Sequence, residues 1–123
     1  MLAVLSLAQD EEAKPLESYG RMHYAMSTLY PDYTWEAHEV VTDDGFTLTT
    51  FHFTGNKSGA YKPDKPPVFF QHGAYDDAAG WVGSDYSGEL PVMLQLADSG
   101  FDVWMGNNRG TEYSQQHLEY TVD

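Results

Sequence analysis

No cysteine occurs in the chain, so a disulfide framework, a thiolate metal site and a thiol nucleophile are all excluded. Basic residues are scarce: 6 Lys and Arg stand against 19 Asp and Glu, a formal charge of −13 at pH 7. That balance removes the attraction that holds a protein on nucleic acid or on an anionic membrane surface, and neither is expected as a partner. Self-repulsion falls as carboxylates protonate, which would suit an acidic compartment and equally an acidic proteome. Long apolar runs are missing too, and no stretch of sequence approaches the ~20 residues of a membrane span.

What is present is the composition of a folded domain. Hydrophobic residues make up 41% and aromatics 15% of 123 residues, enough for a modest core. Leu2 to Ala8 is a short apolar run with a small-x-small ending at Ser6-Leu7-Ala8, and the acidic Asp10-Glu11-Glu12 follows. It reads either as the tail of a secretory signal peptide, lacking its basic region, or as an ordinary apolar N-terminus. Residues 9–28 form a leader and a docking helix. Tyr19 to Leu29 places Met22, Met26 and Leu29 at helical spacing before Pro31, a stripe expected to pack and not to bind a ligand.

An antiparallel hairpin is expected next, from Ala37–Thr42 through Asp43-Asp44-Gly45 to Phe46–Phe53. Phe46, Leu48 and Thr50 fall on one face and Phe51 and Phe53 on the other, which suggests a bulge or an end of pairing near Thr49-Thr50. Gly55 to Pro67 reads as a turn-rich linker, and its Asn56-Lys57-Ser58 is a glycosylation sequon that matters only in the secretory pathway. Val68-Phe69-Phe70 looks like a strand covered on both faces. Glu89–Ser99 then carries Leu90, Met93, Leu94 and Ala97 at helical spacing, and Phe101–Met105 is the next strand. The whole is an α/β arrangement with a right-handed βαβ crossover.

The carboxyl end of the Val68 strand is where α/β folds place ligands, and His72-Gly73 lies there. In a hydrolase of this class the Ala74 backbone N–H would face a developing oxyanion, with His72 and Gly73 shaping the turn. In a plain βα turn Gly73 would instead relieve strain and His72 would bond a neighbouring loop. Gly106-Asn107-Asn108-Arg109-Gly110 puts a cation between glycines, but it fits neither G-x-G-x-x-G nor the Walker A spacing. Arg109 is expected to pin its loop by pairing with a carboxylate or a carbonyl. Glu36-x-His38-Glu39 lacks the helical His pair of a zincin, and its residues read as solvated strand positions, so no metal is expected. Asp76 and Asp77 read as loop carboxylates pointing apart into water. Ser84, Ser87, Ser99 and Ser114 lack a G-x-S-x-G frame, which leaves no nucleophile in the sequence.

In order and spacing the motifs say more than any one of them. Tyr30-Pro31, His38–Phe46, Pro67–Gly73, Trp81, Leu96–Gly110 and Ser114–His117 together resemble the N-terminal part of the acid lipase family, which includes gastric and lysosomal acid lipases. The resemblance implies an incomplete α/β-hydrolase over 29–123, with the hairpin followed by a βαβ unit of the main sheet. It also implies hydrolysis of triacylglycerols or sterol esters by a Ser-Asp-His triad, without a cofactor, in a secreted or lysosomal glycoprotein. One oxyanion-stabilising amide would be that of Ala74, where family members carry Leu; the smaller side chain and Tyr75-Asp76-Asp77 alter the acyl-pocket wall. The triad itself is missing from these residues. The chain therefore reads as a fragment, or as a split subunit whose partner chain carries Ser, Asp and His and covers the exposed edge of the Phe101 strand. The other reading is a non-catalytic, lipase-derived binding or assembly subunit.

Overall fold

A computed structural model describes residues 13–83 and 87–121. The signal-like run 1–8, the start of the leader and Ser84 lie outside the described residues.

The first element is a composite helix. A 3₁₀ turn, Leu16–Tyr19, leads into α1, Gly20–Tyr24, and a π turn, Ala25–Leu29. Met22 and Met26 are buried as their spacing predicts, but Leu29 is exposed. The π turn is the reason: the Tyr30 N–H reaches the Ala25 carbonyl, five residues back, and this wider winding carries position 29 off the packed face.

Strands β1, Thr34–Val41, and β2, Phe46–Asn56, form the hairpin. Gly45 closes its turn at φ +92°, and the Thr42 hydroxyl donates to Asp44 at 2.6 Å. Pairing runs unbroken from Trp35↔Phe53 to Val41↔Thr47, with its one irregularity between Thr34 and Trp35. The bulge expected near Thr49-Thr50 is therefore absent. Thr49 takes the inward position in the series Thr49, Phe51, Phe53, and the outward series Phe46, Leu48, Thr50, His52 is apolar at its start. Two half-stripes on opposite faces had looked like a slip of one.

The supposed linker holds a second tight hairpin. Asn56 pairs with Gly59, making Gly59–Ala60 β3. A Cβ at Gly55 would lie 2.6 Å from the Gly59 carbonyl oxygen, so the close approach of the two backbones requires glycine there.

The βαβ unit is present as β4, Pro67–Gln71; α3, Val92–Asp98; and β5, Asp102–Gly106. α3 starts later than its sequence pattern because Pro91 caps it and the Gln95 side chain donates to the Leu90 carbonyl. A short helix, α2, Gly80–Gly83, sits in the Gly- and Ala-rich stretch before it, and β6, Gln116–His117, pairs with the start of β2. The sheet order is β1-β2-β5-β4. β5 is antiparallel to β2 and parallel to β4, so it is an interior strand. The exposed edge expected at the Phe101 strand belongs instead to β4.

The helices among the described residues pack on one face of the sheet. Met22, Val82, Met93 and Leu94 meet Phe51, Val103 and Met105 there, and Tyr19, Trp35 and Phe51 interlock edge to face. Phe51 is fully buried, and such a ring contributes about 1.5–3 kcal/mol by transfer from water. The opposite face carries no helix among the described residues. Phe69 is 58% exposed on it, so the Val68 strand is covered on one face and not on both.

Candidate functional site

The carboxyl ends of the parallel strands β4 and β5 point the same way and release two loops, 72–79 and 107–115, side by side. Between them lies an open cavity of about 460 Å³, lined by His72 to Asp77 and by Asn108 to Glu112.

His72 joins the two loops. Its Nε2 accepts the Asn108 N–H at 3.0 Å, and its Nδ1 lies 2.8 Å from the Gly73 carbonyl. Accepting at Nε2 places the ring proton on Nδ1, so the neutral ring uses both nitrogens and has none left to act as a base. Asn107 makes a second joint below it, buried to 3% exposure. Its side-chain oxygen accepts the Ala78 N–H and its amide donates to the Thr49 carbonyl, each at 2.9 Å. The Ser114 hydroxyl accepts the Thr49 N–H and donates to the Asn107 carbonyl, while the Thr49 hydroxyl donates to the Tyr113 carbonyl. Burial pushes the Tyr113 phenol up to about 12, and its oxygen accepts the Met22 N–H, which fastens α1 to the same loop. Every buried side-chain nitrogen and oxygen among the described residues has a partner.

Gly73 and Ala74 follow His72 at the cavity rim. The Ala74 N–H makes no hydrogen bond among the described residues, and Ala74 is exposed. The left-handed residue of the turn is Tyr75, at φ +62° with its side chain in solvent. Gly73 does not have a positive φ, and nothing lies within 4 Å of a Cβ placed on it. Strain relief is thus not what Gly73 supplies; the strain sits two residues on, at the side chain that follows the free amide.

Asp76 and Asp77 part company. Asp77 is buried, receives the Ala79 N–H and pairs with Arg21 at 3.2 Å, so the expectation of two solvated carboxylates fails for it. Burial of Asp77 follows from the short helix behind it, which the Gly- and Ala-rich sequence concealed. Asp76 fills the space beside Gly80, where a Cβ would meet its carboxylate at 2.3 Å.

Arg109 reaches across to the hairpin turn. It donates to Asp44 at 3.0 Å and lies 4.6 Å from the Phe46 ring centre. The Thr42 hydroxyl, then Arg109, hold the Asp44 carboxyl below its ordinary value. Gly106 has a packing job, since the Phe69 ring lies 2.4 Å from where its Cβ would be. At the linker, the Asn56 amide donates to Asp98 at 2.8 Å, and Asn56 receives the Ser58 N–H. What sequence reasoning missed is the buried joint made by Asn107 and the left-handed backbone of Tyr75. Asn107 had a signal, a short amide directly after an apolar strand, whereas Tyr75 had none.

A mixed sheet with a βαβ unit, and a polar cavity where its parallel strands end, is the arrangement that part of an α/β-hydrolase would present. The family pattern described as a partial α/β-hydrolase lipase region matches residues 26–85. The chain is 42% identical over 103 residues to a protein of Crotalus adamanteus provisionally named lysosomal acid lipase/cholesteryl ester hydrolase, covering 82% of this chain and 25% of that one. It is 36% identical over 103 residues to gastric triacylglycerol lipase of Bos taurus, covering 83% and 25%. With triacylglycerol lipase 2 of Arabidopsis thaliana the identity is 42% over 88 residues, covering 69% and 21%. The chain belongs to the acid lipase family. It spans about a quarter of the length of the curated relatives it matches.

Proposed function

We infer that this chain is the N-terminal part of a lipid-ester hydrolase, supplying the oxyanion turn to a Ser-Asp-His site whose triad comes from further sequence or from a partner chain. One observation carries the reading. The Ala74 amide has no hydrogen-bond partner among the described residues and stands at the mouth of the cavity, directly after Gly73, whose carbonyl lies 2.8 Å from His72 Nδ1. A tetrahedral intermediate formed by serine attack on an ester carbonyl needs such a preorganised donor, and the donor must not be spent on the protein itself. His72 fixes the turn by bonding the neighbouring loop and so belongs to the positioning of the amide, not to the triad. Ser114 is equally unsuited to attack an ester, being buried with its hydroxyl committed on both sides.

The relatives' names support a substrate among triacylglycerols and sterol esters, and the first of them a lysosomal location; a secreted form is the other location we propose. With Ala74 in place of the leucine that the family resemblance implies, the wall an acyl chain would meet carries a smaller side chain there. The Asn56 sequon would carry its glycan at the end of β2, where the amide already bonds Asp98.

The test is reconstitution with a chain carrying the G-x-S-x-G region, followed by ester hydrolysis. Ala74→Pro, which deletes the N–H, should lower kcat by about 10²–10³-fold and leave KM near its starting value. Unchanged kcat in a folded variant would remove the oxyanion assignment. A stable complex with a partner lacking any nucleophile would favour a binding or assembly subunit.

A further inference from the structure

The face of the sheet that bears no helix carries a cluster unrelated to the cavity. Glu36 and His38 lie two residues apart on β1 and so project from the same side, while Glu39 points to the other side, toward Lys14. Of Glu36, His38 and Glu39, read from the sequence as solvated strand positions, the first two thus share a side. The third member comes from the register: His52 stands directly opposite Glu36 on β2. One donor atom from each of the three lies within 4.8 Å of the others, and Glu36 Oε2 is 3.1 Å from His38 Nε2. That spacing is close to the edge of about 3.3 Å that two ligands span on a tetrahedral zinc with bonds of about 2.0–2.1 Å.

We propose that Glu36, His38 and His52 bind a divalent transition-metal ion of the zinc type, tying β1 to β2. Two imidazoles and one carboxylate suit zinc, whereas calcium and magnesium prefer oxygen alone. The second observation is the support behind His52. Asp102 holds its Nε2 at 2.7 Å, leaving Nδ1 as the free donor of the ring. The Trp104 indole N–H fixes that same carboxylate at 3.0 Å, and the Trp104 ring stacks flat on His52 at 4.0 Å and 7°. A carboxylate orienting a ligating histidine is the usual companion of a metal site. His52 is 20% exposed in its side chain against 58% for Glu36, so the rigid ligand is the inner one. The outer two can close on an ion by small rotamer changes, with water completing its coordination.

Zinc titrated into metal-free protein, read by equilibrium dialysis with elemental analysis, should show one saturable ion per chain and a raised unfolding midpoint. His38→Ala and Glu36→Gln should abolish both, while Asp102→Asn should weaken binding by about 10–100-fold. Glu36 is exposed, so Glu36→Gln should unfold like the parent when zinc is withheld; His38 is half-buried with its ring 5.1 Å from that of Trp104, so His38→Ala is judged by the loss of its zinc-dependent shift. Cobalt in place of zinc should give the visible absorption of a nitrogen-ligated, low-coordinate ion, lost in His38→Ala. An absence of saturable binding, or binding that both β1 variants leave intact, would overturn the proposal.

Discussion

The imidazole of His72 accepts the Asn108 N–H at 3.0 Å, which makes the turn after β4 and the turn after β5 a single mechanical unit. The proposed oxyanion donor rides on that joint. His72→Ala should expose the Asn108 amide, speeding its hydrogen exchange relative to that of β5. It should cost about 0.5–1.5 kcal/mol in urea unfolding, the range for one lost hydrogen bond whose donor water can then reach. Exchange at Asn108 no faster than in the parent would show that the joint is not what holds the loops.

Asn107→Leu keeps roughly the volume and removes both hydrogen bonds. The Ala78 N–H and the Thr49 carbonyl would then be buried without partners, at a loss of about 1–3 kcal/mol for each group left unsatisfied. Because Asn107 links α2's loop to β2, near-ultraviolet circular dichroism should report loosened aromatic packing before the far-ultraviolet signal changes. A stability equal to the parent's would contradict the network.

Two glycines should answer differently to the same substitution. Gly55→Ala sets a methyl group against a backbone carbonyl, and overpacking of this kind costs about 1–3 kcal/mol. Gly73→Ala meets open space and should stay within about 0.5 kcal/mol of the parent. In a reconstituted enzyme the second change should appear in kinetics and not in melting, because the new methyl group borders the cavity.

Asp98 gathers the Tyr33 hydroxyl, the Tyr61 hydroxyl and the Asn56 amide on one carboxylate. Burial alone would raise its pKa, but the three hydrogen bonds outweigh burial and hold it below the ordinary carboxylate value. A carboxyl depressed in the folded state stabilises fully above the unfolded value of about 3.9 and loses that contribution as pH falls through the lower, folded value. The stability gap between the parent and Asp98→Asn should thus be constant from pH 7 to about 5 and narrow below about 4. A gap that widens on acidification would reverse the assignment. The clasp would survive in a mildly acidic compartment.

β4 leaves one side of its backbone unpaired among the described residues, beside the exposed Phe69 ring. An open apolar edge templates self-association. Sedimentation should show concentration-dependent association of the isolated chain, relieved by Phe69→Lys. A monodisperse monomer at high concentration would count against an available edge.

Much of this fold was legible because single-residue rules suffice for it. Asp44-Gly45 marked the hairpin turn, and Pro91 with the Met93, Leu94, Ala97 spacing marked α3. What stayed hidden depends on partners distant in sequence. That β5 lies inside the sheet is decided by its pairing with β2, some fifty residues earlier, and no local pattern records it. The exposed Leu29 depends on one wide turn within an otherwise ordinary helical spacing. At the candidate site, the position of the His72 turn was readable from strand and glycine signals, but the burial of Asp77 and the free state of the Ala74 amide are products of tertiary packing.

The strand order has a consequence for how the chain reaches its fold. β4 leaves the ribosome ahead of α3 and β5, yet β5 is its sole partner among the described residues. Until Asp102–Gly106 arrives and inserts beside β2, the Phe69-Phe70 segment has nothing to pair with. The nascent chain therefore passes through an interval in which a finished hairpin coexists with an unsheltered apolar strand, the kind of species that chaperones capture. The delay between the emergence of Gln71 and that of Gly106 sets the length of that interval.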